Sequence, residues 1–384
     1  FTGIAVATGV LLELDALTGI VAVDRGRGRV TLLGGTRLYD LPRLLRPHGL
    51  AMTNMGDIDQ QSITGAISTG THGTGARFGG LSTQVTGVTL VTADGELMRV
   101  DENENAELLP AVALGLGALG IIVEVTLQCV PAFVLEAVER PVPLEEVLGD
   151  LDERVAGNDH FEFYWFPGTH TAATKTNTRR PGGTRTRPLG RGRAFIDDTL
   201  MANGVYRVTC AASSVVPALV PGVNGLAERL WSNREFSDQS YRVFATKRTV
   251  RFREMEYAIP AADVPEVLRA IGRTIDEHGW RISFPVEVRF AASDDLWLST
   301  ASNRESGYIA VHRYFRENHT EYFEAVEEIM NQHSGRPHWG KLHTQNAAAL
   351  AGLYPHHADF VALRDRLDPE RLFSNTYLAR VLGE

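Results

Sequence analysis

Ser62-Ile63-Thr64-Gly65-Ala66-Ile67-Ser68-Thr69-Gly70-Thr71-His72-Gly73-Thr74-Gly75, followed by Gly79-Gly80, is the stretch on which the reading of this chain turns. Closely spaced glycines let the backbone take positive φ and come close to an anion, while hydroxyls and free N–H groups hold phosphate oxygens. A diphosphate fits the pattern, and a purely structural cluster of turns is the alternative. The dinucleotide fingerprint of a parallel sheet needs the loop to join a strand to a helix, with an acid about 20 residues on. Neither condition is convincingly met. A Walker loop closes on Gly-Lys-Ser/Thr, and no lysine occurs here.

Outward from the loop, residues 10–130 read as short aliphatic or β-branched runs broken by Gly, Asp and Asn. Strands are expected at 10–14, 19–23, 30–33, 85–92, 96–100 and 121–130, with short helices at 38–45 and 106–114. This is an α+β pattern without a regular βαβ rhythm. A second glycine set, Gly115, Gly117 and Gly120, runs directly into Ile121. On its own it reads equally as a cofactor approach or as tight helix-to-strand packing. Pro131, Pro141 and Pro143 then punctuate the chain, so a two-domain division into 1–135 and 136–384 is expected. Beyond it, aromatic strands (160–166, 256–259, 281–290, 308–314) alternate with amphipathic helices (260–278, 321–333), which predicts a sheet covered on one side by helices.

With 384 residues, 43% of them hydrophobic and 22% charged, the chain is an ordinary globular protein large enough for two cores. Its 47 acidic and 38 basic residues leave a charge of -9, which argues against nucleic acid and for a small-molecule partner. Seven basic residues and no acid between Lys175 and Arg193 are read as a solvated, mobile loop rather than a nucleic-acid patch, since no aromatic side chain is interleaved for stacking. Such a loop would serve as a lid. Cys129 and Cys210 are too few for a disulfide framework or a thiolate metal site. No apolar run approaches the roughly 20 residues of a membrane span and no secretory signal opens the chain, so a cytoplasmic protein, at most peripheral to a membrane, is expected.

Two later motifs carry chemistry. In the strand text Ser283 to Phe290, the period of two puts Glu287 and Arg289 on one face and Val286, Val288 and Phe290 on the other. The charged pair is either a salt bridge on a solvated strand or a binding pair, in which a guanidinium donates to carbonyl and hydroxyl oxygens and a carboxylate accepts from a hydroxyl. His338-Trp339-Gly340-Lys341-Leu342-His343 sits in turn-like text whose histidine spacing suits no common metal pair. No metal is expected. His312, alone on its strand, is a weaker candidate.

Gly56-Asp57, Gln61 to Ala66, Thr71 to Gly75, Leu90 to Gly95 and Leu119-Gly120-Ile121 together resemble the FAD-binding domain of the vanillyl-alcohol oxidase superfamily. Within it the chain is most similar to the aldonolactone oxidoreductases, the L-gulono-1,4-lactone dehydrogenases and D-arabinono-1,4-lactone oxidases. The resemblance implies a two-domain fold of that type with FAD as cofactor. Ser62, Gly65, Ser68, Gly70, Thr71, His72, Gly73, Thr74, Gly75, Gly120 and Ile121 would then line the cofactor. It implies that Glu287, Arg289 and Lys341 hold substrate, that His338 lies near FAD, and that Asn375, in the closing segment, holds the flavin or the chain end. The partner would be a sugar lactone or polyol, with oxygen, a cytochrome or a quinone taking the electrons. An alditol oxidase and a non-catalytic sugar- or nucleotide-binding protein are the alternatives. Text ending in Gly-His-Ser usually precedes the match to Phe1-Thr2-Gly3-Ile4-Ala5 in this family. Its first lobe, with the histidine that binds FAD covalently in some members, is therefore expected to be missing from the chain as given.

Overall fold

The structure, a computed structural model, describes residues 2–7, 9–190, 206–230, 233–246 and 249–384. Phe1 and the basic-segment residues Arg191 and Arg193 lie outside them.

The first half of the chain builds β1 (Ile20–Asp24), β2 (Arg29–Leu33), β3 (Leu50–Ala51), β4 (Val85–Val91), β5 (Leu97–Asp101), β6 (Ile121–Gln128) and β7 (Val130–Pro131). Five of them form an antiparallel sheet in the order β1-β2-β6-β4-β5, while β3 and β7 pair separately. Alternation does the work here. Val30 and Leu32 of β2 and Val125 and Leu127 of β6 are buried on one face, while Thr31 and Thr126 on the other join hydroxyls at 2.9 Å.

The second half builds β8 (Phe133–Pro143), β9 (His160–Trp165), β10 (Thr171–Pro181), β11 (Arg234–Gln239), β12 (Phe252–Pro260), β13 (Val286–Ala291), β14 (Ser306–Tyr314) and β15 (Arg336–Pro337). These form an eight-stranded sheet, β11-β8-β10-β9-β13-β14-β12-β15, again antiparallel at every pairing. Helices Val264–Glu277 and Thr320–Gln332 cover one face. Their Val267, Leu268, Ile271, Tyr322, Val326 and Met330 share a core with Phe161, Phe163, Val286, Val288, Ile309 and Val311. That leaves the other face of these strands, period two apart, for polar side chains.

Three expectations need correction. Residues 10–14 form no strand: the run is aliphatic but has no neighbouring strand to pair with, and Val10, Leu11 and Leu12 are exposed. Strand β13 begins at Val286 rather than at 281. The basic segment is no loop over its first part, because Lys175, Arg179 and Arg180 lie within the eleven-residue β10. Threonines at 171, 174, 176 and 178 supply strand preference, and each cation has its own partner. Arg180 meets Glu136, Lys175 meets Glu162, and Arg179 lies between the rings of Phe78 and Phe133, 3.9 and 4.4 Å from their centroids.

Arg179 ties the eight-stranded sheet to loops of the first half of the chain. Its backbone N–H donates to Asp159, its Nη2 donates to the Thr53 carbonyl, and its Nε donates to His160 Nε2 at 3.1 Å. His160 Nδ1 in turn donates to the Thr74 carbonyl at 2.7 Å, so both ring nitrogens are used by the neutral tautomer. Arg179→Ala removes a desolvated cation–π contact and a charged hydrogen-bond donor, and should cost about 2–4 kcal/mol in urea unfolding. Arg179→Lys should recover little of it, lacking the planar fork. An unchanged midpoint in Arg179→Ala would show that this junction is held elsewhere.

Burial pushes the His160 ring down to about 4 and the His343 ring to about 3, against roughly 6.5 in the unfolded chain. Between these values the unfolded chain binds protons that the native chain refuses. The stability contributed by keeping the rings neutral is therefore complete above about pH 6.5 and declines as pH falls towards about 4. Urea midpoints should drop from about pH 7 to about pH 4.5, and His160→Gln should flatten that slope. An equally steep slope in the variant would remove His160 from the account.

Candidate active site

The polar face of the eight-stranded sheet is ordered in rows by its register. Lys175 of β10 stands opposite Glu162 of β9, and Arg289 of β13 opposite Tyr308 of β14. In the next row Tyr164 pairs with Glu287, Glu287 with Ala310, and Ala310 with Glu256. Then comes Glu254 opposite His312. The expected Glu287–Arg289 pair is thus on a buried face, not a solvated one, and the solvated reading of it falls away.

The acids around Arg289 are paired with cations. Arg289 Nε donates to Glu162 Oε2 at 3.0 Å, and its Nη2 meets Glu287 and lies 3.5 Å from Asp57. Lys175 Nζ is 3.2 Å from Glu162 Oε1. Burial works against these charges, yet Glu287 and Glu162 hold the Arg289 guanidinium well above its usual value. Lys175 and Arg289 likewise keep Glu162 ionised against its own burial. The Tyr164 hydroxyl stands 3.4 Å from both Glu162 and Glu287.

The two distant motifs meet here. Residues 338–342 run beside β12: His338 N–H donates to the Glu256 carbonyl at 2.9 Å and Leu342 N–H to that of Glu254 at 3.0 Å. Within this turn Gly340 N–H donates to His338 Nδ1 at 3.0 Å and Lys341 N–H to the His338 carbonyl at 2.9 Å. Trp339, wholly buried, donates to the Leu298 carbonyl at 2.7 Å. Lys341 Nζ donates to Glu254, which also faces His312 Nε2 at 3.5 Å. His312 Nδ1 donates to the Pro285 carbonyl at 2.9 Å, so this lone strand histidine is fully partnered. From the glycine-rich side, His72 stacks on Tyr308 at 3.8 Å, lies 5.6 Å from the His338 ring, and puts Nε2 3.1 Å from Glu256 Oε1.

His72, Glu256 and His338 gather three ligand-type atoms within 4.8 Å, a cluster that spacing along the chain does not reveal. Their bonding is that of a closed hydrogen-bond network. His72 Nδ1 donates to the Gly73 carbonyl at 2.8 Å. Burial lowers the His338 ring to about 4, so it is neutral, with Nδ1 taken by Gly340 and the proton on Nε2. A protonated ring nitrogen does not ligate a metal.

The glycine-rich loop divides in two. Ser62 caps helix Ile63–Ser68 by accepting from Gly65 N–H at 3.2 Å. Gly65 is exposed, and Ser62, Ser68, Thr69, Gly70 and Thr71 are half-buried. This half-open row of hydroxyls and glycines, against which Gly340 packs at Thr69, suits a diphosphate-bearing cofactor. His72 to Gly75 instead dive under the second sheet. The Thr74 hydroxyl donates to the Phe161 carbonyl and accepts from Phe290 N–H, and Gly75 N–H donates to the Phe290 carbonyl at 2.8 Å. A Cβ on Gly73 would lie 2.2 Å from the Met55 carbonyl oxygen, so only glycine passes there. Gly120, at φ +145°, fits closely against Leu90 and Val91, the tight-packing reading of its set, and Ile121 is half-buried. Asn375 caps helix Thr376–Leu382 and donates to the Ile4 carbonyl at 2.9 Å, fastening the chain ends to each other.

Sequence reasoning missed Asp57 as a site group, read Lys175 as part of a solvated loop, and gave no site role to Glu162, Tyr164, Glu254, Glu256 and Tyr308. A signal existed. Glu162 and Tyr164 alternate with Phe161, Phe163 and Trp165, and Glu254 and Glu256 alternate with Met255 and Tyr257, the same charged-by-apolar pattern that singled out Glu287 and Arg289.

The chain is similar to known proteins along its whole length. A sequence model of the FAD binding domain matches residues 1–101, and one of D-arabinono-1,4-lactone oxidase matches residues 125–381. The chain is 43% identical to the L-gulono-1,4-lactone dehydrogenase of Mycobacterium tuberculosis over 100% of its own length and 88% of that protein's. It is 33% identical to the L-gulonolactone oxidase of Mus musculus, over 98% and 86% of the two chains. With the alditol oxidase of a Streptomyces species identity is 32%, over 97% and 86%. The crystal structure of cholesterol oxidase from B. sterolicum shares the fold, with a TM-score of 0.79 at 18% identity over 100% of this chain and 88% of that one. Half-open phosphate-type loop, buried polar sheet face and family matches converge: the chain belongs to the D-arabinono-1,4-lactone oxidase family of FAD-dependent oxidoreductases.

Proposed function

We propose that the protein oxidises a carbinol carbon of a sugar 1,4-lactone of the L-gulono or D-arabinono type. The observation that carries this is the Glu287–Arg289 pair, held on a buried polar face one strand pair from the Glu254–Lys341 pair. Such a face offers fixed donors and acceptors to a neutral, hydroxyl-rich ligand and little to an apolar one.

When bound, FAD supplies the two-electron oxidant that takes the hydride. Residues 1–135 are its binding unit, with the last ~45 residues of the 136–384 unit returning towards it. Ser62, Gly65, Ser68, Gly70, Thr71 and Ile121 are the half-open positions that would hold it. His72, Gly73, Thr74, Gly75 and Gly120 fix the backbone behind them, and His338 stands near the FAD. Asn375 acts on the chain end. Glu287 accepts from a substrate hydroxyl and Arg289 donates to a ring or carbonyl oxygen. Lys341 Nζ places positive charge where the reacting hydroxyl loses its proton, and Glu254 keeps that ammonium in place. Ala310 stands between Glu287 and Glu256 in the register of the sheet and contributes only a methyl to the face.

Arg289→Ala in the FAD-loaded enzyme should slow anaerobic flavin bleaching by L-gulono-1,4-lactone roughly 10²–10³-fold, the scale of losing one aligned charged donor. Wild-type-like bleaching would remove Arg289 from the site. In the wild type the lactone should bleach the flavin and xylitol should not; the reverse order makes the protein an alditol oxidase. A colourless protein that binds the lactone unchanged would make it a binding protein. The reduced flavin should be reoxidised faster by cytochrome c or a soluble quinone than by air, as befits a dehydrogenase, and the opposite order would assign an oxidase.

A further inference from the structure

His72 and His312 stand in similar surroundings and differ by one proton. Each puts Nδ1 against a carbonyl oxygen, that of Gly73 at 2.8 Å and that of Pro285 at 2.9 Å, so in both rings Nδ1 carries hydrogen. Each turns Nε2 towards a buried carboxylate of β12. His72 lies 3.1 Å from Glu256 Oε1, a hydrogen-bond length that requires a proton between the two atoms. His312 lies 3.5 Å from Glu254 Oε1, beyond that length, as two atoms with facing lone pairs do. His312 Nε2 is therefore placed to accept one proton.

A route leads to it. Lys341 Nζ donates to the other oxygen of Glu254, Oε2, so one carboxylate faces ammonium and imidazole with different atoms. Burial works against the charge on Glu254, but the Lys341 ammonium, and His312 when protonated, hold its carboxyl below the usual carboxylate range. Glu254 thus passes a proton on rather than keeping it. Phe252, edge-on at 5.2 Å, and Phe284, stacked at 6.1 Å, wall the His312 ring, and Cys210 of helix Tyr206–Val215 shares a core with Phe284. Glu256 of β12 and Glu287 of β13 share the face with His312. Arg313 turns to the other face, its Cζ 5.6 Å from the Tyr322 ring. Among the described residues Glu254 is the titratable group that Nε2 faces.

Oxidising a carbinol removes a hydride from carbon and a proton from oxygen, and an ammonium can take that proton only by giving one up. We propose that His312 receives the proton of the reacting hydroxyl, relayed through Lys341 and Glu254. The O–H bond breaks and its proton bonds to Lys341 Nζ as Nζ passes one of its own to Glu254 Oε2. A half-turn of the carboxyl group then brings that proton to His312 Nε2. Lys341 ends as ammonium, Glu254 as carboxylate and His312 as imidazolium, while the hydride is taken up by FAD as above. When product leaves, the proton returns by the same route to Lys341, the one of the three that is not fully buried, and so to water. The proposal rests on the placement of the reacting hydroxyl at Lys341 and deepens that reading.

Two measurements on the FAD-loaded enzyme test it. With 15N-labelled histidine at neutral pH, and the resonances assigned by their loss in His312→Asn, the resting ring should show a protonated Nδ1 and a bare Nε2. A ring that already carries a proton on Nε2 overturns the proposal, whatever the substrate. His312→Asn keeps a donor for the Pro285 carbonyl and removes the acceptor, so anaerobic flavin reduction at saturating lactone should slow about 10²-fold with little change in KM. The wild-type rate should fall on the acid side, where the ring is protonated in advance, and that limb should vanish in the variant. A merely structural His312 would lower the melting temperature and leave the limb in place, which overturns the proposal, as does a wild type without the limb. If His312→Asn does not retain FAD, His312→Gln must show the same losses. A wild type inert towards the lactone would sink the lactone reading and not this one, which xylitol then tests by the same acid limb.

Discussion

Charge taken out of water has to be matched, and the architecture of this protein is organised by that requirement. Buried carboxylates on β9 and β12 each stand beside a nitrogen-bearing partner: Glu162 with Arg289 and Lys175, Glu254 with Lys341, Glu256 with His72. Leaving any one partner alone costs more than the pair contributes, because desolvation is then uncompensated. These partners come from β10, β13, the 338–342 turn and the glycine-rich loop. Pairing them therefore forces segments far apart in sequence to converge on one face. The site and the fold are specified by the same contacts.

The glycine-rich loop is half of a joint. Its first part is left half-open, and its second is threaded between Met55 and the second sheet by Thr74, Gly75 and the His160 ring. Close approach at Gly73 and a fixed imidazole tautomer are what let a polar backbone pass through a dry interface with its hydrogen bonds made.

Much of this was legible in the residues. Aliphatic and β-branched runs marked β2 and β4, aromatic runs marked β9 and β14, and the 3.6 period marked both covering helices, since composition and local spacing decide those elements. The Glu287–Arg289 pair and the His338–Lys341 turn were found as motifs. What escaped was whatever depends on a partner in space. The aliphatic 10–14 run has strand composition and no neighbour to pair with. The basic stretch from Lys175 reads as solvated until Glu162, Glu136, Phe78 and Phe133 are placed around it. Glu162 and Glu256 carry a charge inside an apolar strand, but only register shows that they share a face with Arg289. The half of the loop that turned out to be packed rather than open was invisible for the same reason: Gly73 and Gly65 look alike in one dimension.

His338 and Lys341 sit three residues apart on a single turn closed by two of its own hydrogen bonds and clamped by Trp339. Neither can shift without carrying the other, so the distance between them behaves as a ruler built into the protein. Adaptation to ligands of different size must then come from the opposite side. There Ala310 is buried between Glu287 and Glu256, so any change in its bulk has to be matched by the elements packed over it. Divergence within such a scaffold would change the floor of the site while its measuring edge stays constant.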